Sequence, residues 1–96
     1  MNAKEIMIEV DKLYSGPEKW IQRRFQKDNS FCFVGALGHI TDMNRAEILQ
    51  YFTAMKSITK AIRENTNFRN IVEFNDNIET TFEDIKKILK IAIETT

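Results

Sequence analysis

The sequence predicts an all-α fold, arranged as a single compact domain of about five helices over residues 1–96. Apolar residues recur three or four positions apart in several stretches, which is the spacing of one helix face. Side chains that cap helices precede several of these stretches. The 96 residues, 43% of them hydrophobic, supply one core and leave no linker or repeat for a second domain.

The first helix is predicted from Ala3 to Tyr14, because its apolar residues form one stripe and its charged residues lie elsewhere. Gly16 suits a C-terminal cap for this helix, and Pro17 suits the first position of the next one. A short second helix is therefore predicted over residues 17–27. We expect its inward side chains to be Trp20, Ile21 and Phe25.

Residues 31–40 form a charge-free run that holds the only cysteine and the only histidine. A helix is favoured, with Asn29 or Ser30 as its cap. A buried strand over 31–37 stays open as the alternative, because a short apolar run fits either structure. A strand would need a partner, and residues 70–74 are the one weak candidate.

Two glycines, Gly35 and Gly38, interrupt this run. Within a helix each lowers the propensity by about 1 kcal/mol relative to alanine. We therefore expect them to admit the close approach of a neighbouring element.

The longest helix is predicted over residues 45–63, after the capping residues 41–44. A short irregular or extended segment follows at 68–77. The last helix is predicted over 81–94, where Thr80 with Glu83 matches a capping box and Thr81 is the other candidate cap. Helices 45–63 and 81–94 are expected to pack around the central run. The inward stripe of helix 45–63 is Ile48, Tyr51, Phe52, Met55, Ile58 and Ile62.

The charge pattern excludes a strong global field, because 14 basic residues balance 14 acidic ones. Locally, residues 18–27 are basic and residues 73–84 are acidic. A single cysteine forms no internal disulfide, and the charged N-terminal stretch carries no secretory pattern. No apolar stretch approaches the roughly 20 residues that a membrane span needs. We expect a cytoplasmic protein without a membrane segment.

Cys32 is the candidate nucleophile, because a thiol near a helix start experiences the helix dipole and free backbone N–H groups. The alternative is a small buried hydrophobic residue. His39 is the only histidine that could act as its base. On one helix, seven residues separate the two by about 10 Å along the axis, beyond hydrogen-bond reach. A Cys32–His39 dyad therefore requires a broken helix, and His39 is expected to cap the helix C-terminus.

Asn75 and Asp76 form the second candidate site, within the sequence Phe-Asn-Asp-Asn. These residue types suit a tight turn, and they could also present an amide and a carboxylate to a pocket floored by Cys32. One histidine and one cysteine without a clustered second pair do not make a zinc site, so no metal is predicted. No cofactor motif is present either.

Surface charges supply the candidate binding residues. The basic cluster lies beside Trp20 and Phe25, which raises the alternative of a weak nucleic-acid site, although four charges on a neutral chain make a small footprint. Separate basic and acidic faces favour docking to a complementary protein instead. The binding residues are predicted to be Lys19, Arg23, Arg24, Lys27, Glu73, Asp76 and Glu79.

Four pieces of the sequence carry a family resemblance. They are Trp20, the run Phe31-Cys32-Phe33-Val34-Gly35-Ala36-Leu37, the tripeptide Phe74-Asn75-Asp76, and a final helix through Ala92-Ile93. In this order they resemble a family of small uncharacterised bacterial and phage domains, over most of the chain. The chain departs from that family in having more Lys, Glu and Asn and no Gly-rich loop before the cysteine. The resemblance implies a fold and no particular activity.

Three functions remain as hypotheses. The first is a non-enzymatic protein-binding accessory module, encoded by a phage or mobile element and acting on a host protein, for example as a host-defence inhibitor. The second is a small Cys-dependent enzyme or ligand-binding domain that uses Cys32 with Asn75 and Asp76. The third is nucleic-acid binding through the basic residues at 19–27. Association into a homodimer is left open.

Overall fold

Five α-helices and a small β-hairpin make up the fold, in a computed structural model that describes residues 1–41 and 48–96. This architecture confirms the predicted small, mostly α-helical domain. The helices are α1 (Ala3–Leu13), α2 (Phe33–Thr41), α3 (Ile48–Asn65), α4 (Ile71–Asp76) and α5 (Phe82–Glu94). The antiparallel strands are β1 (Gln26–Lys27) and β2 (Ser30–Phe31), and a 3-10 turn spans Pro17–Lys19.

Helix α1 begins with a capping box that the sequence analysis did not identify. The Glu5 N–H donates to Asn2 Oδ1 at 2.8 Å, and the Asn2 N–H donates to Glu5 Oε1 at 3.1 Å. The helix ends at Leu13, and Tyr14 is its C-terminal cap. The assignment of Gly16 as that cap was therefore wrong. Gly16 instead precedes the 3-10 turn, and Pro17 occupies the first position of that turn as predicted.

The predicted helix at 17–27 was wrong beyond Lys19. The chain turns away because its backbone bonds to other elements: the Ile21 N–H donates to the Phe31 carbonyl at 3.2 Å. Arg23 then adopts a left-handed backbone with φ of 67°, which a right-handed helix cannot contain. Phe25 is 69% exposed and does not point inward, whereas Trp20 is half-buried against the core.

The charge-free run contains parts of both structures that the sequence allowed. Ser30 and Phe31 form β2, and α2 follows without a break through Gly35 and Gly38. Helix α2 packs mainly against α1, with further contacts to α3 and α4. Helix α5 packs chiefly against α3 and α1, so the expected packing of the last helix on the central run was wrong, and α1 is the main neighbour of α2 instead.

Helix α3 confirms the longest predicted element over its described part, while residues 45–47 and the expected caps Asp42, Met43 and Asn44 lie outside the described residues. Tyr51, Ile58 and Ile62 are buried as expected. The inward placement of Ile48 and Phe52 was wrong, because both side chains are exposed.

Residues 71–76 form helix α4, so the expectation of an irregular or extended segment there was wrong. The local reason is a cap: the Glu73 N–H donates to Asn70 Oδ1 at 2.9 Å. The tertiary reason is burial of Ile71 and Phe74, which lie on one helix face and are each 2% exposed. The local helix propensity of residues 71–76 did not predict α4, because this helix is stabilised by tertiary packing.

Helix α5 confirms the last predicted element, although its cap differs by one residue. Thr81 is the N-cap, and its capping box is completed by Asp84. The Thr80–Glu83 pairing was therefore wrong. Thr80 is itself buried, and its N–H donates to the Asn77 carbonyl.

Candidate binding groove

The buried side-chain amide of Asn75 is one of several groups that attach the loop at 20–25 to α2 and α4. Its Oδ1 accepts from the Trp20 indole N–H at 2.7 Å and from the Phe33 N–H at 3.0 Å. Its Nδ2 donates to the Ile21 carbonyl at 3.2 Å and to Asp76 Oδ1 at 2.9 Å. All four hydrogen-bonding positions of this amide are occupied, so Asn75 joins three segments and has none left for a substrate.

Asp76 stabilises the left-handed turn at Arg23. Its Oδ1 accepts from the Arg23 N–H at 2.7 Å as well as from the Asn75 amide. A charged acceptor makes these hydrogen bonds stronger than neutral ones. The carboxylate therefore fixes the backbone at Arg23, and both Arg23 and the following Arg24 are exposed at this end of the loop.

Gly35 permits the loop to lie directly on α2. The Phe25 carbonyl accepts from the Cys32 N–H at 3.1 Å, at the start of that helix. A Cβ atom on Gly35 would overlap the Phe25 carbonyl oxygen and lie 2.9 Å from its carbon. The predicted close approach is thus correct for Gly35. It is wrong for Gly38, where an added Cβ would meet nothing within 4 Å.

Cys32 immediately precedes α2, and its Sγ accepts from the Gly35 N–H at 3.2 Å. The residue is 8% exposed. Burial raises the pKa of the Cys32 thiol; backbone N–H groups of Gly35 and Val34 oppose this rise, and the Asp76 carboxylate adds to it. The side chain is therefore a protonated thiol at neutral pH, a form that is a poor nucleophile.

A groove opens between this loop and α4. Its cavity has a volume of about 150 Å³, and its lining is mainly apolar. Two of the lining residues, Phe25 and Val72, are 69% and 56% exposed and stand at its mouth. The remaining lining residues are Arg23, Arg24, Cys32, Val34, Ile71, Asn75 and Asp76. We call this the Cys32 groove.

The structure brings five of the predicted site residues to the Cys32 groove, namely Arg23, Arg24, Cys32, Asn75 and Asp76. Four other predicted binding residues do not line it. Lys19 is half-buried in the 3-10 turn, Lys27 is exposed in β1, Glu73 is exposed on α4, and Glu79 lines a separate cavity beside Thr80.

His39 lies near the opposite end of α2 from Cys32, and its ring stacks on Phe31 with centroids 4.6 Å apart. Because α2 is unbroken, Cys32 and His39 remain about two helical turns apart along the chain, and the condition for a Cys32–His39 dyad is not met.

The sequence did not identify Phe25 and Val72 as groove residues. The turn-forming pair Asp28–Asn29 was the signal for a hairpin beside Phe25.

Within residues 1–41 and 48–96, no group of three or more His, Cys, Asp or Glu side chains is arranged to hold a metal ion. In the same part of the chain, none of the helices combines the length and apolar character needed to cross a membrane.

A model of a family of unknown function, DUF6197, matches residues 4–95. The chain belongs to the DUF6197 family. Membership agrees with the expected resemblance to an uncharacterised family, while the motif pattern proposed for that family stays a prediction. Comparisons of this DUF6197 domain with curated proteins and with solved structures found no match.

Proposed function

We propose that this DUF6197 domain is a protein-binding module whose docking site is the Cys32 groove. The observation that carries the proposal is the exposure of Phe25 and Val72 at the mouth of an apolar cavity. Aromatic side chains and arginine are enriched at protein interfaces, and the groove has Phe25 beside Arg23 and Arg24. The occupant is an apolar side chain of a partner protein.

The size of the cavity favours a side chain over a small-molecule substrate. Sites for drug-sized ligands usually have volumes of about 300–1,000 Å³. The cavity of about 150 Å³ is smaller than this range. A dry cavity of about this volume can accept a benzene ring, so one aromatic or aliphatic side chain would fill it.

Charge at the rim favours acidic residues beside that anchor. Arg23 and Arg24 are exposed there. The facing carboxylate of Asp76 already accepts from the Arg23 N–H and from the Asn75 amide. The rim thus has two guanidinium groups against one carboxylate, and this excess of positive charge favours acidic side chains, which guanidinium groups bind in pairs of hydrogen bonds.

The two other hypotheses have less support from the groove. A Cys-dependent enzyme would need a thiolate at Cys32 and a free polar group at Asn75, yet burial raises the thiol pKa and the amide is fully bonded. Nucleic-acid binding would stack bases on Trp20 and Phe25, yet the Trp20 ring is half-buried with its N–H bonded to Asn75, which leaves Phe25 as the one exposed ring beside the basic cluster. From the resemblance to bacterial and phage domains, we further propose that this accessory domain is encoded by a phage or mobile element and engages a host protein in the cytoplasm.

Site-specific photocrosslinking in the native host cell tests this function. A photoreactive amino acid replaces Val72 in one variant and Ile78 in a matched control. Ile78 is 83% exposed and does not line the groove. We expect one discrete protein adduct from position 72 and no such adduct from position 78. Equal adducts from both positions, or none from position 72, would contradict the proposal.

A further inference from the structure

The outer face of α3 carries a second set of exposed residues that the Cys32 groove does not include. Leu49 and Phe52 are 68% and 54% exposed, and Lys56, Lys60 and Arg63 follow them toward the C-terminus. Successive members are three or four residues apart, so all five lie on one side of the helix. We call this the α3 outer face.

This face is divided along the helix axis. Its N-terminal half is apolar and its C-terminal half is basic, with Glu64 as the only acidic residue of α3. From Leu49 to Arg63 the face extends about 21 Å at 1.5 Å per residue. A shallow groove beside it has a volume of about 560 Å³ and is lined by Phe52, Met55, Thr59, by the three basic residues Lys56, Lys60 and Arg63, and by the single acidic residue Glu64.

Phe52 is held in position although it is exposed. Its ring packs edge-on against Tyr51, with centroids 5.4 Å apart, and Tyr51 is 8% exposed. An aromatic ring that is already restrained loses little conformational entropy when a partner covers it. Phe52 is therefore suited to be the apolar anchor of an interface.

We propose that the α3 outer face binds an acidic amphipathic helix of a partner protein. The apolar half receives apolar side chains of that helix, and the basic half receives carboxylates spaced along the next two turns. This site is independent of the Cys32 groove, because the two share no lining residue.

The arrangement of the face favours this occupant over a membrane or a nucleic acid. A helix that lies in a membrane interface has an apolar stripe along its whole length, whereas Leu49 and Phe52 occupy only the first part of α3. Recognition of anionic lipid headgroups typically uses clusters of about four to eight basic residues, and this face has three. Three phosphate contacts also give a nucleic acid only a weak hold.

The probe is a displayed library of random peptides. Each peptide has about 16 residues, so that as a helix it can span the length of the α3 outer face. Selection against the full chain is expected to enrich peptides with an apolar pair followed by two or more acidic residues at helical spacing. Enrichment that lacks this pattern, or no enrichment, would overturn the proposal.

The affinity of an enriched peptide, measured by fluorescence anisotropy, then locates the site. The double variant Lys56→Glu/Lys60→Glu is expected to weaken binding about tenfold, and Phe52→Ala by a similar factor. The matched control Lys87→Glu/Lys90→Glu reverses two exposed lysines of α5 and is expected to change affinity less than about twofold. Circular dichroism checks that each variant is folded.

Two further outcomes decide between occupants. Val72→Glu, which alters the Cys32 groove, is expected to leave the peptide affinity unchanged. The test of the α3 outer face is therefore separate from the test of the Cys32 groove. Binding of the wild-type protein to vesicles of phosphatidylcholine and phosphatidylserine that is lost in Phe52→Ala would overturn the proposal in favour of a membrane surface. Equal loss of peptide affinity in the α5 control would also overturn it.

Discussion

At the scale of single residues, Asn75 is the centre of the arrangement. It is 2% exposed and connects the loop at 20–25, the start of α2 and Asp76 through four hydrogen bonds. Its place in the sequence Phe-Asn-Asp made Asn75 a candidate site residue. The sequence suggested only a local turn there, because the partners of Asn75 at Trp20 and Phe33 are more than 40 residues away along the chain.

Replacing Asn75 with Asp should destabilise the fold strongly. The variant keeps an acceptor for Trp20 but places a second carboxylate oxygen against the Ile21 carbonyl and Asp76. We expect a loss of about 3 kcal/mol or more in the free energy of unfolding at pH 7, measured by urea denaturation. The half-buried control Asn77→Asp should cost less than about 1 kcal/mol.

The Asn75→Asp penalty should also depend on pH. Burial and Asp76 would raise the pKa of the new carboxyl in the folded state above its unfolded value of about 4. The charge-dependent part of the penalty then grows as the pH rises above that unfolded pKa and is absent below it, while the loss of one of the two amide donors leaves a smaller remainder at every pH. A penalty that is unchanged between neutral and acidic pH would contradict the assigned hydrogen bonds.

The two glycines of α2 should respond oppositely to alanine. In Gly35→Ala the new methyl group overlaps the Phe25 carbonyl, at a cost of about 1–3 kcal/mol that exceeds the gain in helix propensity of about 1 kcal/mol. In Gly38→Ala the space is open, so stability should rise by about 0.5–1 kcal/mol. Urea denaturation of both variants measures this difference. Equal stability of the two would show that the loop does not press on Gly35.

Cys32 should react slowly with iodoacetamide in the folded protein. Burial raises the thiol pKa above its ordinary value of 9.0, so little thiolate forms at neutral pH. We expect the alkylation rate at pH 8, followed by mass spectrometry, to increase at least about tenfold when urea unfolds the chain. By linkage, this thiol should destabilise the fold only as the pH rises above 9.0. Rapid alkylation of the native state would instead favour the enzyme hypothesis.

At the scale of elements, periodicity predicted the long helices well and the short segments poorly. Helices α1, α3 and α5 bury one stripe each, and a stripe is visible in the sequence. The segment 17–27 and helix α4 depend instead on tertiary contacts, such as the Ile21–Phe31 hydrogen bond and the burial of Phe74. Such contacts override local propensity, which is why both predictions failed.

The cap of α5 provides a test at this scale. Thr81 Oγ1 accepts from the Asp84 N–H at 3.2 Å, and Asp84 Oδ2 accepts from the Thr81 N–H at 2.9 Å. Thr81→Ala should lower stability by about 1 kcal/mol and the melting temperature by about 4–8 °C. Glu83→Ala, which removes the partner expected from the sequence, should have less effect in the same thermal scan. A larger effect from Glu83→Ala would contradict the observed capping box.

At the scale of the whole molecule, the chain places two apolar surfaces beside basic residues although its formal net charge is zero. One is the Cys32 groove with Arg23 and Arg24, and the other is the α3 outer face. The sequence predicted the basic cluster at 19–27 but assigned Phe25 and Phe52 to the core. Helical spacing cannot reveal an aromatic residue that stays exposed, since spacing gives a face and not what covers it.

Docking at the Cys32 groove can be measured as the affinity of the domain for the partner identified by crosslinking from position 72. Isothermal titration calorimetry would compare the wild-type chain with Phe25→Ala and with the exposed control Ile78→Ala. We expect Phe25→Ala to weaken binding about tenfold or more, as for an anchor residue, and Ile78→Ala to change it less than about twofold. Equal affinities for all three proteins would contradict docking at the Cys32 groove.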